Sequence, residues 1–194
     1  MLQVDSLWLP QLQQQQYREL LNAMSRPGQQ NTLLYGRSSE ASQVDSRQTV
    51  GGFLPLLATL ADSQVSVSDP ESLISESDWR MLQADKTDLE TADFIIAKGQ
   101  QCIVHDPKLG SLANPEQSAT LIINVTAIGR GDLKLQLMGP GVNGKITLEI
   151  DGLDQAWLER RNSWCSAFPL GVDIILCDQE SFIALPRTTQ VEVI

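Results

Sequence analysis

The chain has 194 residues, of which 42% are hydrophobic and 20% charged, enough for a single domain over residues 1–194 with a real core. Its net charge of −10 opposes general binding to nucleic acid or anionic membranes, so an anionic ligand would need a local cluster of arginines. No apolar run is long enough to span a membrane, the opening "MLQVDSLWLPQLQQQQ" lacks the regions of a signal peptide, and the scattered Cys102, Cys165 and Cys177 suit reduced thiols, so a cytoplasmic protein is expected.

Along the chain, the spacing of Tyr17, Leu20, Leu21 and Met24 predicts a helix after Pro10, stopped by "SRPG". The polar stretch "GRSSEASQVDSRQ" reads as a loop, and "VGGFLPLLATLA" over 50–61 as a buried helix with Pro55 in its early part. "VSV" at 65–67 is a short strand. Asp69-Pro70 has the form of an N-cap followed by proline and predicts a helix from there to about Ala84. "FIIA" at 94–97 reads as a buried strand, and 99–118 as a loop carrying the single histidine. "ATLIINVTAI", "LKLQLM" and "ITLEI" are strands, the last two alternating apolar and polar residues. Leu153, Ala156, Trp157, Arg160 and Trp164 mark one face of a helix over 153–164; "VDIILC", "SFIAL" and "VEV" are the closing strands. Helices early and strands late predict an α/β fold with a mixed β-sheet flanked by helices, in three α/β/α layers.

Six places invite chemistry. "GPGVNGKI", Gly139 to Ile146, fits G-x-x-x-x-G-K but has isoleucine where a P-loop needs the magnesium-binding hydroxyl, and it runs into a strand pattern where a P-loop opens a helix. It predicts a hairpin; a free-standing nucleotide-binding or nucleotide-hydrolysing protein using 139–145 is the competing reading. His105, in "CIVHDP", has no partners at zinc or triad spacing, so neither a metal nor a catalytic residue is assigned. Arg26 suits a helix C-terminus as well as an anion, and of Arg160 and Arg161 one is expected solvated and one packed along its stem. Asp173 opens an apolar strand, where an unpaired carboxylate is costly. It either pairs with Arg187 or faces water. Arg187, with Thr188 and Thr189 behind Pro186, is then either a structural partner of Asp173 or a contact for a ligand or neighbouring subunit.

The blocks "MSRPG", "LLATLAD", "GPGV", "FPLGVD" and "LPRTTQVEV" occur in this order over nearly the whole chain, and in them the sequence resembles the PhnH family of the bacterial carbon–phosphorus lyase system. The resemblance implies a cytoplasmic homodimer, associated with PhnG-, PhnI- and PhnJ-like subunits. With a PhnL-like ATP-binding protein, that system transfers the ribosyl triphosphate of MgATP to an alkylphosphonate and releases adenine. It also implies a fold resembling the large domain of pyridoxal-phosphate-dependent transferases without the cofactor site, and a scaffold role with no cofactor, metal or active site of its own. The residues agree with that division of labour. The cysteines form no iron–sulfur spacing, and none of Lys86, Lys98, Lys108, Lys134 and Lys145 stands in a context that marks a cofactor lysine. Arg187, Thr188, Thr189, Asp173 and Arg26 remain the candidate binding residues.

Overall fold

The computed structural model describes residues 6–34 and 51–194. The polar loop expected within 36–48 lies outside them.

Helix α1 (Pro10–Ser25) starts on a proline, whose missing N–H costs nothing in the first turn, and stops before Pro27 and Gly28. Its buried face is Gln16, Leu20 and Ala23, whereas Tyr17 and Leu21 of the expected face are exposed. The reason is polar: the Gln16 side chain accepts the N–H of Leu34, and the Gln13 amide donates to the carbonyl of Ala58. Hydropathy assigns glutamine to the wet side, but hydrogen bonds of this kind allow its burial. After β1 (Asn31–Thr32), helix α2 (Phe53–Leu60) is buried from Phe53 to Ala58 and carries Pro55 in its first turn, as expected.

Strand β2 (Ser66–Ser68) follows. Asp69 does not start a helix. Its carboxylate accepts the N–H groups of Leu73 and Ile74, each at 2.8 Å, which makes a turn. Helix α3 (Glu76–Leu82) begins later, at the Ser75 cap, whose hydroxyl accepts the N–H of Asp78. Asp69 thus does the chemistry of a cap, accepting free N–H groups, but in a turn.

The strands β3 (Asp85–Lys86), β4 (Phe94–Lys98), β5 (Thr120–Asn124), β6 (Ala127–Met138), β7 (Ile146–Asp151), β8 (Asp173–Cys177), β9 (Ser181–Leu185) and β10 (Gln190–Val193), with helix α4 (Ala156–Trp164) before β8, complete the chain. Seven strands form one sheet in the order β1-β9-β8-β5-β4-β2-β3, parallel from β8 to β3, with β9 antiparallel to both of its neighbours, β8 and β1. The other three form an antiparallel sheet, β10-β6-β7.

"ATLIINVTAI" is therefore not one strand. The chain leaves the large sheet after Asn124: the Val125 N–H still bonds to Cys177, but the Thr126 N–H already bonds to Asp151, and β6 begins in the small sheet. Apolar residues continue across the switch, so periodicity does not mark it. The alternation of side chains then sorts the core. Ile95, Leu121, Ile123, Ile174, Leu176 and Ile183 face one side, where Leu135, Leu137, Ile150 and Val191 of the small sheet and Trp157 of α4 cover them. Ile96, Ile122, Ile175 and Phe182 face the other, under α1, α2 and α3. The fold is mixed α/β with a mixed sheet, but helices flank only one face fully. On the other, the antiparallel sheet shares the work with α4.

Candidate functional site

Pro186 to Thr189 joins the two sheets. β9 belongs to the large sheet and β10 to the small one, and the Thr189 N–H closes the turn between them on the carbonyl of Pro186 at 2.9 Å. Because β8 and β9 are antiparallel with Ile174 opposite Leu185, Asp173 lies beside the start of this turn. Its Oδ1 accepts the Arg187 N–H at 2.7 Å, and its Oδ2 accepts from Nη2 at 2.7 Å, with Nε 3.4 Å from Oδ1. The pair is well shielded, with side chains 15% and 16% exposed. The rest of the Arg187 fork donates to the carbonyls of Pro115 and Pro169 and to the Ser118 hydroxyl. Of the two arrangements open to Asp173, the structure has the ion pair.

A second arginine enters from α4. Arg161 is 1% exposed, and its Nη2 donates to the carbonyls of Pro186 at 2.6 Å and Thr189 at 2.9 Å. Among the described residues no carboxylate pairs with it, its Nε has no partner, and neither has the buried hydroxyl of Thr189. Burial pulls the Arg161 guanidinium below its ordinary range, and the charge of Asp173 opposes that. Neither member of the Arg160–Arg161 pair is a freely solvated charge. Arg160 donates to the carbonyls of Ile103 and Val104 and to Asp106, and lies over the Trp164 ring. The sequence reading missed Arg161 as a polar anchor. The signal was its place between Trp157 and Trp164, at the centre of the apolar stripe of α4.

The "GPGV" turn completes the junction. A Cβ on Gly141, at φ +81°, would stand 2.2 Å from the Ser25 carbonyl and 2.9 Å from Pro27; one on Gly139 would stand 3.0 Å from the Thr188 carbonyl. The "SRPG" end of α1, the hairpin tip, the Phe168–Asp173 segment and the tail, far apart in sequence, thus meet in space. Arg26 is exposed at the C-cap of α1, and among the described residues no hydrogen bond joins its side chain to the tail. A cleft of about 730 Å³ opens at the junction, lined by Arg161, Cys165, Phe168, Arg187, Thr188 and Thr189 among others.

The remaining candidates are placed elsewhere. Residues 139–145 are the tip between β6 and β7, Lys145 donates to Gln136, and a strand follows, as the hairpin reading requires. His105 is an exposed neighbour of Glu90 at 3.2 Å. Lys98, Lys108 and Lys134 pair with carboxylates, and Lys86 lies over Trp79. Among the described residues no group of three or more His, Cys, Asp or Glu could hold a metal ion, and no helix is long and apolar enough to cross a membrane.

Fold and site together define a two-sheet α/β protein whose interior arginines hold its own chain at the joint between the sheets. The chain belongs to the family of the bacterial phosphonate metabolism protein PhnH, which it matches over residues 7–192. It is 36% identical over 185 residues to a protein of Stutzerimonas stutzeri that carries the provisional name C-P lyase subunit protein HtxG, covering 95% of this chain and 88% of that one. It is 28% identical over 182 residues to the alpha-D-ribose 1-methylphosphonate 5-triphosphate synthase subunit PhnH of Rhizobium meliloti (strain 1021), covering 91% of this chain and 88% of the relative.

Proposed function

We propose that this chain is a cytoplasmic, single-domain subunit of a carbon–phosphorus lyase system. In that role it assists transfer of the ribosyl triphosphate of MgATP to an alkylphosphonate, with release of adenine. The observation that carries the reading is the family match across nearly the whole chain, together with a junction built from the family-like blocks. The arginines of that junction are spent largely on backbone carbonyls and one carboxylate, which suits a rigid scaffold better than a catalyst. The chain acts as a homodimer beside PhnG-, PhnI- and PhnJ-like subunits, with a PhnL-like protein supplying ATP binding. The same reading carries with it a fold like the large domain of pyridoxal-phosphate-dependent transferases, and it assigns the chemistry to the partners.

Co-expression with the partner subunits tests this. The chain should co-purify with them, and the assembled complex should convert MgATP and methylphosphonate. A chain that stays alone under conditions where the partners assemble with one another would overturn the reading.

A further inference from the structure

The cleft at the junction holds an unusual combination. Arg161 carries its charge at 1% exposure with only neutral acceptors, the carbonyls of Pro186 and Thr189 and a long 3.4 Å contact to the Asn162 amide oxygen. A buried cation without a counter-ion is costly. The Thr189 hydroxyl, on a residue 3% exposed and in direct contact with Arg161, has no partner at all. Both residues line the same cleft, and so does Arg187, although its charge is already met by Asp173. The unspent groups are thus the Arg161 Nε–H and the Thr189 O–H, while Glu192 is the carboxylate on the exposed rim.

We propose that this cleft is a subsite for a phosphoryl-type oxyanion, with Arg161 and Thr189 as its donors and Arg187 as a positioning residue. Several acceptor oxygens on one compact anion would satisfy both unspent donors and supply the missing counter-charge. The Arg187–Asp173 pair holds the turn that carries Thr189, so it sets the site without touching the ligand. The site stands on the geometry of the isolated chain and does not rest on the subunit reading; binding is measured on the chain alone, and the subunit role on assembly, so either can fail without the other.

The experiment is a titration of the purified chain with inorganic phosphate, methylphosphonate and acetate at constant ionic strength. It is followed by thermal unfolding and by the amide resonances of Thr189 and Gln190. Phosphate or methylphosphonate should raise the melting temperature saturably and shift those resonances, and acetate should not. Binding of one probe but not the other supports the site equally and tells whether a carbon on phosphorus fits. Thr189→Val is the decisive variant, because its hydroxyl holds nothing in the fold. Without ligand it should melt at or above the wild-type temperature, while affinity falls by about ten- to a hundredfold, the loss of one hydrogen bond to a charged group. Arg161→Lys should weaken binding further if it folds. Absence of saturable binding, equal binding of acetate, or unchanged affinity in Thr189→Val would each overturn the proposal.

Discussion

Replacing Arg187 with alanine removes more than an ion pair. Asp173 loses both guanidinium contacts and keeps only the backbone N–H of residue 187, while the carbonyls of Pro115 and Pro169 and the hydroxyl of Ser118 lose a donor. Removing one partner of a buried pair costs about 3–5 kcal/mol, because the other charge is stranded. The pair retains some contact with water, with side chains 15% and 16% exposed, which places the expectation near the lower end, about 3 kcal/mol. In a chain of this length that lowers the melting temperature by roughly 6–12 °C. Arg187→Lys keeps a charge but cannot reach Asp173, Pro115 and Ser118 at once, and should recover about half of the loss. Asp173→Asn should cost a comparable amount to Arg187→Ala, and the double variant less than the sum, with a coupling of about 1–3 kcal/mol. Urea unfolding of these four variants beside the wild type gives all these values. An Arg187→Ala protein within about 0.5 kcal/mol of wild type, or a coupling near zero, would refute the view that this pair holds the joint.

Other expectations follow from single environments. Burial by itself would raise the pKa of Asp93; hydrogen bonds from Lys108, the Ser66 N–H and the Ser66 hydroxyl outweigh it, so the group ends below its usual 3.8. A depressed carboxylate stabilises the fold above its unfolded pKa and loses that effect as pH falls through the folded value, so the stability gap between wild type and Asp93→Asn should close below about pH 4 in urea titrations. Gly141→Ala meets both a positive φ and the Ser25 carbonyl, and should cost at least about 1–3 kcal/mol, whereas Lys145→Ala in the same hairpin should stay within about 0.5 kcal/mol and leave nucleotide binding unchanged. Burial drives the Cys177 thiol far above its ordinary range, so alkylation of the native protein should label Cys102 and Cys165 and spare Cys177 until the chain unfolds, as read by mass spectrometry.

Much of the fold was legible because burial and backbone period coincide there. β4, β8 and β9 are apolar on both faces and read directly as buried strands, and the "GPGVNGKI" stretch read as a hairpin from the strand on each side of it. The misreadings share one cause, polar groups placed by hydrogen-bond partners that hydropathy does not see, distant in sequence for Gln16 and Arg161 and local for Asp69. Gln16 is buried because Leu34 supplies a donor, Asp69 turns the chain because Leu73 and Ile74 do, and Arg161 is buried because two carbonyls of the tail meet it. Hydropathy sees a polar residue and assigns it to water. The change of sheet at Val125 and Thr126 was invisible for the opposite reason, since no polar residue interrupts the apolar alternation on which the period rests.

The Asp173–Arg187 pair was the exception, a polar contact that could be inferred. An acid at the head of an apolar strand demands a partner, and an arginine just beyond the next strand is in position if the two strands pair antiparallel. That pairing does more than neutralise a charge. It fixes the point at which the chain leaves the large sheet, and Arg161 fixes the carbonyls at both ends of the turn, so that β10 starts in register beside Met138 of β6. One arginine within the turn, Arg187, and one from α4, Arg161, thus both constrain it. A turn held this firmly has little conformational freedom left to lose, so a ligand or subunit that docks there meets a surface already in its bound shape. This is the physical link between the structural joint and the oxyanion site proposed for it. The same hydrogen bonds that make the tail rigid leave the Thr189 hydroxyl and one edge of Arg161 without partners beside an open cleft.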